Sequence, residues 1–147
     1  MLDEIYRTIP HREPFLFIDR ILEVREDGAS AERKIREEEP HFRGHYPGNP
    51  LMPGVLLCEA VFQTAAVYMI RHFGGAWEGT GPKTPVLARI QMAKFKRMVR
   101  PGDTIHIDTT YKEAMGRFHF MRGKVTVDGK PVLTVEFGLA LLDSEEA

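Results

Sequence analysis

Residues 54–70 read GVLLCEAVFQTAAVYMI, apolar at nearly every position and broken mainly by Glu59 and Gln63. A run of that length with no polar face predicts a helix buried on all sides. Pro53-Gly54 marks its start and Gly74-Gly75 its stop. The run reaches the short edge of what can cross a bilayer. A carboxyl group and an amide at its centre favour a wrapping of protein over one of lipid.

Strand patterns supply that wrapping. Residues 15–24 are rich in Phe, Leu and Ile, and apolar and polar positions alternate over 104–109. Residues 118–127 and 132–142 flank Asp128-Gly129, a hairpin signal because both residues tolerate positive φ. Residues 86–99 predict another strand, and 29–36 a more polar edge strand. The pattern implies an α+β fold, a curved antiparallel sheet around one long apolar helix. With no internal repeat, low-complexity tract or separating linker, residues 1–147 are expected to form a single domain.

Composition narrows the function classes. The chain has 147 residues, enough to bury a real core, with 43% hydrophobic and 28% charged residues. A formal net charge of −1 argues against nucleic acid as a partner. MLDEIYRTIPHREPF lacks the basic and apolar regions of a signal peptide. The single cysteine points to a reducing compartment, with the cytoplasm as the expected location.

Two residues carry the candidate chemistry. Glu59 is costly inside an apolar helix unless it is neutral or hydrogen-bonded. Gln63 stands four residues on, over the same helix face and within bonding reach. A carboxylic acid held neutral beside an amide suits general acid catalysis. His45 lies in a Pro/Gly-rich loop before the helix, placed to serve as a base. Each has a plainer alternative. Glu59 would then meet an arginine from another strand, Gln63 would be an ordinary buried amide, and His45 would only bond the backbone. A metal pair with His41 is weakened by Gly44 and Pro47, which make the segment a loop, and by the lack of a third ligand nearby in sequence.

Cys58 neighbours Glu59, but adjacent helix residues point about 100° apart, so it reads as a small buried hydrophobe. Gly54 and Val55 open the helix, where unpaired N–H groups favour developing negative charge. Arg89, Lys94, Lys96, Arg97 and Arg100 form a basic run with no acid among them. It is either a solvated strand face or a docking patch for an acidic partner.

The spelling HYPGNPLMPGVLLCEAVFQ resembles the signature of the FabZ-type (3R)-hydroxyacyl-acyl carrier protein dehydratases, a hot-dog-fold family. IPHREPFLFIDRILEV at 9–24 and FKRMVRPGDTIHI at 95–107 are similar to two further blocks of that family, in the same order. The resemblance spans about residues 9–140. It implies a hot-dog fold, with His45 and Glu59 as the catalytic pair and Gln63 positioning the acid. It implies that Gly54 and Val55 donate N–H groups to a thioester carbonyl, and that the acyl chain rides on phosphopantetheine of an acyl carrier protein. Lys94, Lys96, Arg97 and Arg100 become candidates for docking that carrier. No metal or organic cofactor is implied. His and Glu of one site come from different subunits of a homodimer, often built into a hexamer. His11 and Arg12 match the amino-terminal block and read as structural.

Three positions depart from the family pattern. Arg89 stands where glycine is common, Met98 replaces a proline, and Phe62 fills a place where alanine is typical. These put the acyl tunnel, and so the chain length accepted, in question. Two rivals remain, a hot-dog acyl thioesterase and a non-catalytic acyl-binding paralogue. The retained Glu59 spelling argues against the first, and the presence of both His45 and Glu59 against the second.

Overall fold

The computed structural model describes residues 2–74 and 83–143. A short helix, α1 (Leu2–Thr8), leads into strands β1 (Arg20–Arg25) and β2 (Gly28–Lys34). A 3-10 turn at Pro40–Arg43 and an extended loop precede helix α2 (Gly54–Met69). Strands β3 (Lys83–Phe95), β4 (Thr104–Met115), β5 (Phe118–Val127) and β6 (Lys130–Asp143) complete the chain. All six strands form one antiparallel sheet in the order β1-β2-β4-β5-β6-β3.

Helix α2 lies against the sheet because it is apolar on every side. Leu57, Val61 and Met69 pack with Ile107, Met121, Val125 and Phe137 in one buried cluster. The approach is close at Gly123 of β5, where an added Cβ would sit 2.1 Å from Val61 Cγ1. A side chain there would push helix and sheet apart. The end of α2 continues as a π-helical turn, Ile70–Gly74, which reaches the first residue of the predicted stop. Gly75 lies outside the described residues. Tyr68 Oη donates to the Glu26 carbonyl at 2.9 Å, pinning this end to the β1–β2 turn. The helical stretch Gly54–Phe73 is long and apolar enough to cross a membrane, but it is mostly buried within the protein, as a core helix is.

The predicted hairpin forms as expected. Asp128 (φ 50°) and Gly129 (φ 76°) join β5 to β6. Two expectations need correction. Residues 15–24 are a strand only from Arg20 onward. Before that point the backbone bonds sideways, with Phe17 N–H donating to Gln63 Oε1 and Phe15 C=O accepting from Gln63 Nε2. Segment 29–36 is not an edge strand. β2 lies between β1 and β4 with Ala29, Ser30 and Ala31 buried, small side chains that let the neighbouring layers close over them. β1 and β3 hold the edges.

A buried ion pair ties the loops together. Arg33 bonds Glu39, which precedes the 3-10 turn, and its Nη1 donates to the Leu16 carbonyl at 2.8 Å. Glu39 also accepts from Arg36 N–H at 2.7 Å. One guanidinium thus fixes both segments that lead to the candidate site.

Candidate active site

Glu59 projects from the second turn of α2, with its side chain one-fifth exposed. Gln63, fully buried, donates from Nε2 to Glu59 Oε2 at 3.0 Å. The amide cannot be turned round, because Gln63 Oε1 already accepts Phe17 N–H at 2.8 Å and Nε2 also donates to Phe15 C=O at 3.1 Å. Only an N–H can therefore face Glu59. Burial pushes the Glu59 carboxyl above its ordinary range, and the Gln63 bond opposes that push without cancelling it. Burial also drives the Cys58 thiol up to about 11, which keeps it a neutral core side chain.

A cavity of about 220 Å³ opens beside Glu59. Phe62 and Ala66 of α2, Val86 and Leu87 of β3 and Leu139 of β6 supply apolar walls. Phe62 packs on Phe137 with ring centroids 4.8 Å apart. His11 completes the lining, its Nε2 3.6 Å from Glu59 Oε2. Sequence reasoning took His11 for a structural residue. Its contact arises because Gln63 draws the backbone at Phe15 and Phe17 onto the helix, carrying the preceding residues with it. The match of His11 and Arg12 to the amino-terminal block was the available signal.

His45 sits elsewhere in the chain and does not line this cavity. Its backbone N–H closes the 3-10 turn onto His41 C=O at 3.0 Å. Its Nδ1 lies 2.8 Å from Leu51 C=O. A carbonyl only accepts, so Nδ1 carries the proton and Nε2 keeps a free lone pair in the neutral ring. Tyr46 holds a left-handed backbone, φ 60°, and sets its ring edge-on to His45 at 4.7 Å. Such backbone strain concentrates at functional sites. The His41 ring packs against Phe42, with centroids 4.4 Å apart. Among the described residues no cluster of three or more metal-ligating side chains occurs.

The chain's FabA-like match covers residues 9–136. It is 41% identical, over 98% of its length, to the 3-hydroxyacyl-acyl-carrier-protein dehydratase FabZ of Thermomicrobium roseum, and covers 94% of that protein. The same identity, over 92% of this chain and 96% of the relative, relates it to the FabZ of Ligilactobacillus salivarius. The chain belongs to the FabZ-type dehydratases of the FabA-like family. Its fold resembles the dehydratase heterocomplex ApeI:P of Xenorhabdus doucetiae, with a TM-score of 0.80 at 15% identity, covering 97% of this chain and 93% of that one. The hot-dog fold expected from the signature is the one observed.

The remaining candidates of this FabZ-type chain fall near the His45 loop. Gly54 and Val55 form the first turn of α2, whose N–H groups have no acceptor within the helix. Val55 is 73% exposed, and Phe95 covers Gly54 so closely that an added Cβ would meet its ring at 2.7 Å. Lys94, Lys96, Arg97 and Arg100 are exposed. The strand exit that carries them is laced to the loop. Met52 N–H donates to Val99 C=O at 2.7 Å, and Arg100 Nη1 donates to Asn49 Oδ1 at 2.7 Å. Arg89 sits apart from them, on the wall of a different cavity with Arg122 and Glu136.

Proposed function

We propose that this chain is a (3R)-hydroxyacyl-acyl carrier protein dehydratase of fatty acid biosynthesis, a hydro-lyase whose domain is the whole of residues 1–147. The observation that carries this reading is the environment of Glu59. Burial lifts the Glu59 carboxyl above its ordinary range although the Gln63 N–H that orients it pulls the other way, and a raised, oriented carboxyl group supports the role of proton donor. A thioesterase would need the opposite, an ionised carboxylate to activate water.

In the mechanism, His45 Nε2 removes the α-proton of the acyl thioester. The thioester oxygen gains negative charge at the α2 N-terminus, facing the N–H groups of Gly54 and Val55. Glu59 passes its proton to the β-hydroxyl as the C–O bond breaks. Water leaves, and the product is a trans-2-enoyl thioester. No step calls for a metal or an organic cofactor.

The site is shared between two copies in a homodimer that can extend to a hexamer. This is supported by the Glu59 cavity, whose lining within one chain does not include His45. It is supported also by β3, an edge strand that exposes Val86, Leu87, Ile90 and Phe95. Long exposed apolar edges invite pairing with another chain. Phosphopantetheine reaches the site from an acyl carrier protein docked on Lys94, Lys96, Arg97 and Arg100, beside the His45 loop. Among the described residues Lys94, Lys96 and Arg97 have no carboxylate within ion-pair distance. The buried helix and reduced cysteine fit a cytoplasmic enzyme.

The deciding experiment follows the reverse reaction on trans-2-enoyl thioesters of several lengths. Loss of the conjugated absorbance without release of free thiol supports dehydratase chemistry. Thiol release would instead establish a thioesterase, and inertness toward every length a binding protein.

A further inference from the structure

We propose that His11 is a positioning residue for the acid, a neutral Nε2–H donor aimed at Glu59 Oε2 that stabilises the carboxylate as it forms. The inference rests on the reading of Glu59 as the proton donor. Its first ground is geometric. His11 Nε2 lies 3.6 Å from the same oxygen that accepts Gln63 Nε2–H at 3.0 Å. Two nitrogens thus converge on Oε2 and leave Oε1 as the oxygen that carries the acidic proton.

The second ground is the other ring nitrogen. His11 Nδ1 is buried and has no hydrogen-bond partner among the described residues. A neutral imidazole has one N–H to place. On Nδ1 it would be a buried donor with nothing to bond. On Nε2 it points at Glu59, and the orphan left at Nδ1 is an acceptor, the better tolerated kind. The ring therefore presents its proton to the acid.

The third ground is that the ring stays neutral. Burial, and then the Arg12 guanidinium, hold the His11 imidazole below its ordinary value. Arg12 is fixed in place by the carbonyls of Ile9, His11 and Tyr6 at 2.7–2.9 Å and lies over the Tyr6 ring. An imidazolium beside Glu59 would strip the acid of its proton before the substrate arrived. The rest of the cavity lining, from α2, β3 and β6, is Phe62, Ala66, Pro85, Val86, Leu87 and Leu139, so His11 and Glu59 are its titratable groups. Cys58, adjacent on the helix, stays a thiol.

The separation of 3.6 Å is too long for a hydrogen bond in the resting state. It shortens when negative charge arrives on Oε2. An interaction made mainly in the transition state raises turnover more than it tightens binding. His11 keeps its own proton throughout. The proton that moves goes from Glu59 Oε1 to the leaving oxygen, which departs with the C–O electron pair as water.

The test compares His11→Ala and His11→Gln with wild type by carbon NMR titration of labelled glutamate carboxyls, with Glu59 assigned from Glu59→Gln. Loss of the donor should move the Glu59 titration upward by about one pH unit. Dehydration kcat should fall about tenfold with a much smaller change in KM. The Gln variant, which keeps an N–H donor, should recover most of both. An unmoved Glu59 titration in His11→Ala overturns the inference even if activity is lost. Should that variant fail to fold, nitrogen NMR of wild-type His11 at a pH of about 6.5 decides the matter. A neutral Nε2–H ring supports it, and a charged or Nδ1–H ring defeats it. Full activity in Glu59→Gln would instead sink the acid reading and this inference with it.

Discussion

The two halves of the candidate site are built in opposite ways. Glu59 stands on a buried helix, its partner Gln63 held by three hydrogen bonds that fix which atom faces the acid. His45 stands on a loop between a 3-10 turn and a helix start, with one ring nitrogen tied to Leu51 and the other without a hydrogen-bond partner among the described residues. The proposed acid needs a dry, rigid setting, because burial is what raises its carboxyl above the ordinary range. The base needs a fixed tautomer and an accessible lone pair, which a loop carbonyl supplies without burial. On the proposed reading each half is prepared within one chain and completed by a second copy.

The sharpest way to break this division is to remove each group in turn. Glu59→Gln and His45→Ala should each cost about 10²–10⁴-fold in dehydration rate while leaving the fold intact. The two should differ in pH behaviour. Activity needs Glu59 protonated, and its raised carboxyl lets it keep that proton above the usual carboxylate range, so the pH profile of kcat should carry an ionisation there that Glu59→Gln deletes. Turnover near wild type in either variant would void that residue's role.

Next in size is the joint that holds both halves to the fold. Arg33→Ala leaves Glu39 buried without its partner and frees Leu16, so stability should fall by about 3–5 kcal/mol in urea unfolding. A loss below about 1 kcal/mol would show that the segments bearing the two halves are held by packing alone.

A smaller effect sharpens the accessible side. Charge reversal at Lys96 and Arg97 should raise KM for carrier-bound substrate roughly tenfold at low salt, with the difference shrinking as salt rises. The same acyl group on free pantetheine should react as with wild type. Equal losses on both substrates would place those cations in the fold or the site and not on a docking surface.

The same contrast explains what was legible in the sequence. Helix α2 could be read because it is apolar around its whole circumference, and the Asp128-Gly129 hairpin because its turn demands particular residues. Gln63 could be placed beside Glu59 because helical spacing is local. The irregular course of residues 15–19 could not be read. Its apolar pattern is that of a strand, but at Phe15, Leu16 and Phe17 its backbone bonds the side chains of Gln63 and Arg33, remote in sequence. β2 looked like an edge because its residues are small and polar, whereas smallness here serves burial between two strands. His11 was missed for the first of these reasons, since its approach to Glu59 depends on where Gln63 pulls the chain.

The central claim is that one site draws its acid and its base from two copies of this chain. Inactive His45→Ala and Glu59→Gln chains should be unfolded together, refolded, and assayed once dimers are shown to have formed. If the site is shared, each mixed dimer has one site with both lesions and one with neither. Random pairing makes about half the dimers mixed, so roughly a quarter of wild-type activity should return, by the statistics of a two-fold interface. No recovery in a preparation containing mixed dimers would contradict the shared site and place both groups in one chain.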